Sequence, residues 1–118
     1  MGNIGIGVDI EKIERFNDCF DDVSFLHQIF TQREIDAYFL RKNKIPHLAG
    51  RFCAKEAVIK AFGDCKKKIF FKDVEIFNND NGSPYAVVNK HKDYDTKISI
   101  SHDESHAIAI SLIKIRKT

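Results

Sequence analysis

Two acidic residues that lie far apart in the chain could take part in metal-assisted chemistry. Asp9 follows a short apolar run with glycines at positions 5 and 7, and Glu56 lies in the stretch RFCAKEAVIKAFG, residues 51–63. Proteins commonly hold Mg²⁺ with one or two carboxylates, while water and substrate phosphates complete its shell. Lysine and arginine side chains then neutralise the remaining phosphate charge. These residue types favour a magnesium-assisted phosphoryl site.

Each acid also has a structural interpretation. Glu56 precedes Lys60 by four residues, so on a helix the two side chains face the same way and can form an ion pair. Asp9 stands between a predicted strand and a predicted helix, where aspartate often serves as an N-cap. A glycosidase with Asp9 and Glu56 as paired carboxylates stays open, although a small chain without Trp and rich in Lys and Arg suits phosphates better.

The stretch 51–63 predicts the helix that positions Glu56. At about 100° per residue, its apolar side chains point in nearly every direction. Two polar ribs interrupt them: Arg51 with Lys55, and Glu56 with Lys60. We expect this helix to be enclosed by its neighbours, to begin near His47 or Leu48, and to end at Gly63 as the C′ residue.

The remaining patterns predict a small antiparallel sheet beside this helix. Apolar runs and period-two alternation indicate strands over 4–8, 70–77, 85–88, 98–101 and 107–113, with a turn-rich segment at 78–84 and a loop at 90–97. Apolar residues at helical spacing predict a helix directly after Asp9 and a short helix at 23–29. A further helix is predicted to start at a capping box of Thr31 and Glu34. The prediction is one α+β domain over 1–118, with a long central helix packed against a small, mainly antiparallel sheet.

Composition limits the partners and the compartment. The 118 residues can bury one core, and 19 basic against 17 acidic side chains argue against a nucleic-acid partner. No run approaches the ~20 apolar residues of a membrane helix, so no membrane partner is expected. Cys19, Cys53 and Cys65 form no CxxC pair, which suits a reducing compartment and predicts a cytoplasmic protein.

Five stretches, taken in chain order, form a combined pattern. They are GIGVDIEKIERF, FTQREIDAYF, AGRFCAKEAVIKAFG, NGSPY and ISISHDESHAIAI. Together they resemble the holo-acyl-carrier-protein synthase family, the small bacterial 4′-phosphopantetheinyl transferases, across essentially the whole chain. The resemblance implies the fold of the 4′-phosphopantetheinyl transferases and the reaction that they catalyse. In that reaction a serine of apo acyl carrier protein attacks the β-phosphate of coenzyme A, takes up 4′-phosphopantetheine and releases adenosine 3′,5′-bisphosphate.

The resemblance also implies catalytic roles for three residues. Asp9 and Glu56 would bind magnesium together, and Lys60 would lie near the pyrophosphate and neutralise or protonate the leaving group. Magnesium is thus the implied cofactor, and coenzyme A is the substrate.

Substrate and partner contacts follow from the same resemblance. Arg51 and His102 would lie near the coenzyme A phosphates, and Arg15 would meet the acidic recognition helix of the carrier protein. Family members of this size are homotrimers with sites between protomers. Ser83 departs from the Lys or Arg that relatives often carry in the NGxP turn, so the nucleotide contacts are less well defined by the pattern than the metal pair.

Two other functions are compatible with the residues. A non-catalytic module could hold coenzyme A or a related nucleotide without releasing adenosine bisphosphate. An RNA-binding domain could use the basic residues near 41–44 and 66–68 with the neighbouring Phe70 and Phe71, although the net charge of +2 counts against it.

Overall fold

One long helix and two antiparallel sheets make up the fold, which a computed structural model describes for residues 3–116. The elements are strand β1 (Ile4–Lys12), short 3-10 turns (Ile13–Phe16 and Cys19–Asp21), helices α1 (Val23–Ile29), α2 (Gln32–Phe39) and α3 (Lys44–Asp64), a 3-10 turn (Phe71–Asp73), and strands β2 (Val74–Asn78), β3 (Pro84–Val88), β4 (Tyr94–His102) and β5 (His106–Ile115). One sheet has the order β1-β5-β4, and β2 pairs with β3. All pairings are antiparallel. The predicted α+β fold with a long central helix is confirmed.

Helix α3 lies directly against β1 because two glycines leave room for its backbone. A Cβ at Gly7 would lie 2.1 Å from the carbonyl oxygen of Ala57, and one at Gly5 would lie 2.2 Å from that of Ala61. A strand residue with any side chain at these positions would push the helix away. The glycine pair therefore sets how close the strand that carries Asp9 comes to the helix that carries Glu56.

Strand β1 is longer than predicted. It continues past Asp9 to Lys12, because pairing with β5 extends to the Lys12–His106 pair. The helix expected after Asp9 is a 3-10 turn from Ile13 to Phe16 whose N-cap is Lys12. Both the early helix and the N-cap interpretation of Asp9 are therefore wrong, and Asp9 lies within a strand on its buried face.

Helix α3 is also longer than predicted at both ends. It begins at Lys44, so Pro46 falls in the first turn, where a missing N–H leaves no helical hydrogen bond unmade. Gly63 lies inside the helix, and Lys66 takes the left-handed conformation, with φ of 59°. The Lys66 and Lys67 amides donate to the carbonyls of Gly63 and Phe62, which is a Schellman ending.

The other local predictions are mostly confirmed. Helix α1 and the Thr31–Glu34 capping box form as expected, and so do both hairpins. Two strand starts are wrong: β2 begins at Val74, after a 3-10 turn, and β4 begins at Tyr94, inside the segment predicted as a loop.

A buried ion pair that the sequence did not predict connects α2 and α3. The Lys55 amine lies 2.7 Å from Glu34 Oε1, and both side chains are fully buried. Lys55 also donates to the backbone carbonyls of Phe71 and Val74, while Glu34 accepts from the Ile76 amide. This network ties both helices to the β2–β3 hairpin.

The outer face of the three-stranded sheet is apolar along β1 and β5. Ile4, Ile6, Val8 and Ile10 are 45–60% exposed, as are Ile108, Ile110 and Leu112 at 42–47%. Within residues 3–116, no helix combines the length and apolarity that a membrane crossing requires. The three cysteines are free thiols.

Candidate active site

Three carboxylates converge where β1 crosses α3. Oxygen atoms of Asp9, Glu11 and Glu56 lie within 4.8 Å of one another. Asp9 and Glu11 share one face of β1 because side chains two residues apart on a strand point the same way. Glu56 reaches them from α3, which Gly5 and Gly7 allow to approach. The structure thus brings together the predicted acids and adds a third.

Asp9 has the most enclosed carboxylate of the three. Its side chain is 9% exposed, and Oδ1 accepts a hydrogen bond from Lys60 Nζ at 3.3 Å. The second oxygen, Oδ2, is buried and has no hydrogen-bond partner among residues 3–116. A buried carboxylate oxygen without a donor is costly unless a cation satisfies it. The cluster therefore fits a hard divalent cation that prefers oxygen ligands.

The charges of the cluster repel one another. Burial, together with the neighbouring Asp9 carboxylate, raises the pKa of Glu11 to about 7, although Arg15 acts in the opposite direction. Burial and the charge of Asp9 also raise the pKa of Glu56. Like charges this close disfavour ionisation. A bound divalent cation would remove this repulsion.

Lys60 contacts Asp9 and not Glu56. Its ammonium donates to the Val8 carbonyl at 3.0 Å and to Asp9 Oδ1 at 3.3 Å, and its side chain is 53% exposed. Between Glu56 and Lys60, residues 3–116 show no ion pair within 4.0 Å. The intrahelical pair that helical spacing allowed is therefore not formed, and Lys60 serves the carboxylate on the adjacent strand.

Arg15 joins the cluster through Glu11. Its guanidinium donates to Glu11 Oε1, and the arginine side chain is 60% exposed whereas that of the glutamate is only 10% exposed. Because the residues after Asp9 continue a strand and not the expected helix, Glu11 lies on the same face of β1 as Asp9. The signal that would have found it is the period-two pattern Gly5, Gly7, Asp9, Glu11, which continues the buried face of β1.

Arg51 lies apart from the acidic cluster. It is 8% exposed and donates to Asn78 Oδ1 at 2.7 Å, an oxygen to which Arg41 also donates at 3.2 Å. The Arg41 side chain borders a cavity of about 320 Å³ that His47 and Tyr85 also line, and Arg51 contacts Asn78, which lies in the wall of the same cavity. On α3, Arg51 and Glu56 are five positions apart, so their side chains point in different directions.

His102 lies at the end of β4. This strand forms the opposite edge of the three-stranded sheet from β1. His102 pairs with Ala107, and Ala107 pairs with Glu11, so one strand separates the histidine from the acidic cluster. The imidazole is exposed, and its Nδ1 lies 3.2 Å from the Asp103 carbonyl oxygen. Within a single chain, the structure therefore brings Asp9, Glu56 and Lys60 together but places Arg51 and His102 outside this group.

Comparison with known proteins identifies the family of this site. A family model described as the 4′-phosphopantetheinyl transferase superfamily matches residues 5–111. A holo-[acyl-carrier-protein] synthase of Fusobacterium nucleatum is 40% identical, over 93% of this chain and 98% of that protein. One from Thermodesulfovibrio yellowstonii is 41% identical, over 92% of this chain and 96% of that protein.

Solved structures agree with the sequence relatives. A holo-(acyl-carrier-protein) synthase from Bacillus anthracis in complex with CoA (3′,5′-ADP) superposes with a TM-score of 0.81 at 31% identity, covering 94% of this chain and 96% of that one. One from Helicobacter pylori in complex with coenzyme A gives 0.76 at 29% identity, covering 92% and 99%. The chain therefore belongs to the 4′-phosphopantetheinyl transferase superfamily, within the holo-acyl-carrier-protein synthase family.

Proposed function

We propose that this chain transfers the 4′-phosphopantetheine group of coenzyme A to a serine of apo acyl carrier protein and releases adenosine 3′,5′-bisphosphate. Relatives near 40% identity are holo-[acyl-carrier-protein] synthases, and two solved relatives contain coenzyme A or its nucleotide. The observation that carries the proposal is the buried Asp9 carboxylate, which has one unpartnered oxygen and lies beside Glu56 and Lys60. These carboxylates would bind a divalent cation beside the diphosphate of coenzyme A.

Asp9 and Glu56 are the residues that would hold Mg²⁺. The ion supplies Lewis-acid stabilisation of the charge that develops on the diphosphate. The chain's own contribution is to fix two carboxylates on rigid elements, one on a paired strand and one on an enclosed helix. Because Gly5 and Gly7 hold these elements in contact, the carboxylates keep their spacing without support from a loop.

Lys60 is the cation that would contact the leaving group, adenosine 3′,5′-bisphosphate. Its amine contacts Asp9, and its half-exposed side chain can turn from the strand towards a bound diphosphate. As the serine oxygen bonds to the β-phosphorus, the bond to the nucleotide phosphate breaks and that phosphate gains charge. A lysine ammonium at this place neutralises the charge or donates a proton to it.

Arg51 and His102 would bind the phosphates of coenzyme A, with Arg41 beside Arg51. Because Arg51 and Glu56 point to different sides of α3, one chain cannot easily present both groups to one coenzyme A molecule. A site between protomers brings the basic cavity of one chain next to the acidic cluster of another. We therefore propose that the protein is a homotrimer with its active sites at the interfaces between protomers.

The apolar outer face of β1 and β5 supports assembly. Seven aliphatic side chains there are 42–60% exposed, and a contiguous patch of this kind marks an interaction surface. Ile6 and Val8 belong to the strand that carries Asp9, so assembly through this face would also fix the site. The homotrimer predicts that Ile6→Lys dissociates the protein in light scattering, while Gln28→Lys on the exposed side of α1 leaves its mass unchanged. A monomeric wild-type protein would refute the assembly.

Arg15 would receive the carrier protein. Its exposed guanidinium lies next to the acidic cluster through Glu11, so an acidic helix docked on Arg15 brings its serine close to the metal ligands. We place the reaction in a single domain over 1–118 and in the cytoplasm, where the three thiols would stay reduced.

Mass spectrometry of an apo carrier protein tests the function directly. Incubation with this protein, coenzyme A and Mg²⁺ should add the phosphopantetheine arm and release adenosine bisphosphate. Asp9→Asn and Glu56→Gln should fold, as judged by circular dichroism, but lose this product. Coenzyme A binding without product would favour a non-catalytic module, and near-normal turnover of both variants would refute the site assignment.

A further inference from the structure

We propose that Asn81 is a site of spontaneous deamidation and that its conversion weakens the binding of coenzyme A; the second part rests on the proposed function. Asn81 is the one asparagine in the sequence that is followed by glycine. Asn81 and Gly82 are both exposed, and they lie in the turn between β2 and β3. Asparagine before glycine is especially prone to this reaction, because glycine has no side chain to hinder the attacking nitrogen.

The reaction uses the backbone nitrogen of Gly82 as its nucleophile. This nitrogen loses its proton to solvent and bonds to the side-chain carbonyl carbon of Asn81. The bond from that carbon to the side-chain nitrogen then breaks, and the nitrogen takes a proton from solvent and leaves as ammonia. Water opens the resulting cyclic succinimide at either of its two carbonyls. The products are aspartate and isoaspartate at position 81.

Ser83 holds the oxygen atom that gains charge during the attack. The Ser83 amide donates to Asn81 Oδ1 at 3.0 Å, and Ser83 Oγ donates to the same oxygen at 2.7 Å. The side-chain amide of Asn79 donates to Ser83 Oγ at 3.1 Å, which leaves the hydroxyl proton for Asn81. Donors that are already in place stabilise negative charge as it develops on a carbonyl oxygen. The turn therefore assists the formation of the succinimide.

One contact opposes the reaction. The Gly82 amide donates to the Asn79 carbonyl at 2.9 Å, and this hydrogen bond must open before the nitrogen can attack. Opening is cheap here because the bond lies in an exposed turn and not in the core. A Cβ placed at Gly82 would meet no atom within 4 Å, so solvent also has access to the peptide.

The turn is connected to the two arginines of the proposed coenzyme A site. The Gly82 carbonyl accepts from Asn78 Nδ2 at 2.7 Å. Oδ1 of Asn78 accepts from Arg51 at 2.7 Å and from Arg41 at 3.2 Å. Isoaspartate adds a methylene to the main chain before Gly82 and so displaces this carbonyl, and either product adds a negative charge to the turn. Deamidation should therefore misplace the guanidinium groups and compete with the phosphates for them.

Peptide mapping by mass spectrometry tests the modification on the full folded chain. After storage in mildly alkaline buffer and brief digestion in mildly acidic buffer, trypsin should release residues 73–90 as one peptide. The mass increase of deamidation should accumulate at Asn81. It should be absent from the other asparagines of this peptide, which no glycine follows: Asn78, Asn79 and Asn89. No increase at Asn81, or an equal increase at the others, would overturn the assignment.

Variants of Ser83 test whether the turn assists the reaction. Ser83→Ala removes the hydroxyl donor and should slow deamidation about tenfold, at the lower end of what one oxyanion donor contributes, because the turn is exposed. Ser83→Thr is the matched control, since it keeps the hydroxyl and should keep the wild-type rate. A rate for Ser83→Ala equal to or above that of the wild type would refute this role of Ser83.

Asn81→Asp mimics one product and tests the effect on coenzyme A. It should raise the KM for coenzyme A about two- to fivefold, as expected for one exposed charge near an ion-binding group, and leave kcat unchanged. Asn89→Asp is the matched control, because it adds the same charge to an exposed residue at the other end of β3, and it should leave KM unchanged. Calorimetric titration with adenosine 3′,5′-bisphosphate should give the same order of affinities without turnover.

Arg51→Ala separates this inference from the proposed function. If Arg51→Ala weakens nucleotide binding but Asn81→Asp does not, the coenzyme A site stands and the effect of deamidation on it is refuted. If neither variant changes nucleotide binding, the proposed phosphate contacts themselves fail.

Discussion

Replacing Gly7 with alanine should force β1 and α3 apart at the active site. The new methyl carbon would lie 2.1 Å from the Ala57 carbonyl oxygen and 2.7 Å from the Ala61 amide nitrogen. Ordinary contact begins at 3.4 Å, so the backbones must separate by about 1.3 Å. Both atoms are backbone atoms inside a helix, so no side-chain rotation can relieve the clash.

The separation should affect stability and chemistry together. Overpacking a rigid core typically costs about 1–3 kcal/mol, and a backbone clash lies at the upper end. The same movement displaces Glu56 from Asp9 by about 1 Å, and misplacement of that size can cost on the order of 100-fold in rate. Urea denaturation should show the lower free energy of unfolding. Mn²⁺ titration should show weaker binding, and the carrier-protein assay a lower kcat/KM.

A glycine outside this contact provides the control. Gly63 lies on α3, and a Cβ there meets no atom within 4 Å. Gly63→Ala should therefore stabilise the helix by about 0.5–1 kcal/mol and leave Mn²⁺ binding unchanged. If Gly7→Ala matched the wild type in both stability and metal affinity, close strand–helix contact would not be what positions the two carboxylates.

Three further changes test the core around the site. Lys55→Met should cost about 3–5 kcal/mol in urea denaturation, because it leaves the buried Glu34 charge unpaired, and a loss below 1 kcal/mol would contradict a tight pair. Burial and nearby arginines lower the pKa of His47 from 6.5 to about 3, so folding excludes this proton. Its contribution to stability is complete above pH 6.5 and decreases as the pH falls towards 3, and His47→Gln should weaken this pH dependence of the free energy of unfolding. Phe52→Ala should cost about 3–5 kcal/mol in folding, through lost contacts with the Phe16 and Phe71 rings, while the fraction that stays folded keeps its metal affinity.

The central helix could be predicted because its signal is local. Apolar residues on nearly every side of 51–63 require enclosure, and a polar residue such as Glu56 within that pattern stands out. The hairpins were predictable for the same reason, since alternation and turn residues occur within a few positions of each other. For the central helix and the hairpins, the period of the apolar residues was enough to predict the type of element and its approximate position.

The prediction for β1 was wrong because the outer face of this strand is apolar. In β1 the aliphatic side chains at 4, 6, 8 and 10 face outward, while glycines and acids occupy the buried face. Such a run resembles a short buried strand, and helical spacing of Ile10, Ile13 and Phe16 then suggests a helix. The register with β5, which no local pattern encodes, extends the strand and turns Glu11 inward.

Long-range pairs could not be predicted at all. Lys55 was assigned to a polar rib with Arg51, yet it pairs with Glu34 from another helix. Lys60 shares a helix face with Glu56 but contacts Asp9, which is 51 residues away. Lys60 had an acid nearby on its own helix, and in both cases the packing of α3 against other elements determined which contact forms.

The contacts of α3 along β1 also bear on solubility. β1 is an edge strand, so the backbone groups on the side away from β5 have no strand partner among residues 3–116. Lys60 donates to the Val8 carbonyl and Asp64 accepts from the Ile6 amide, so one helix face occupies groups that could otherwise recruit a strand from another molecule. Substitutions of Lys60 made to study the reaction would therefore also uncover an aggregation-prone edge. Expression yield and turbidity would need to be measured beside activity, because loss of soluble protein could otherwise be mistaken for loss of catalysis.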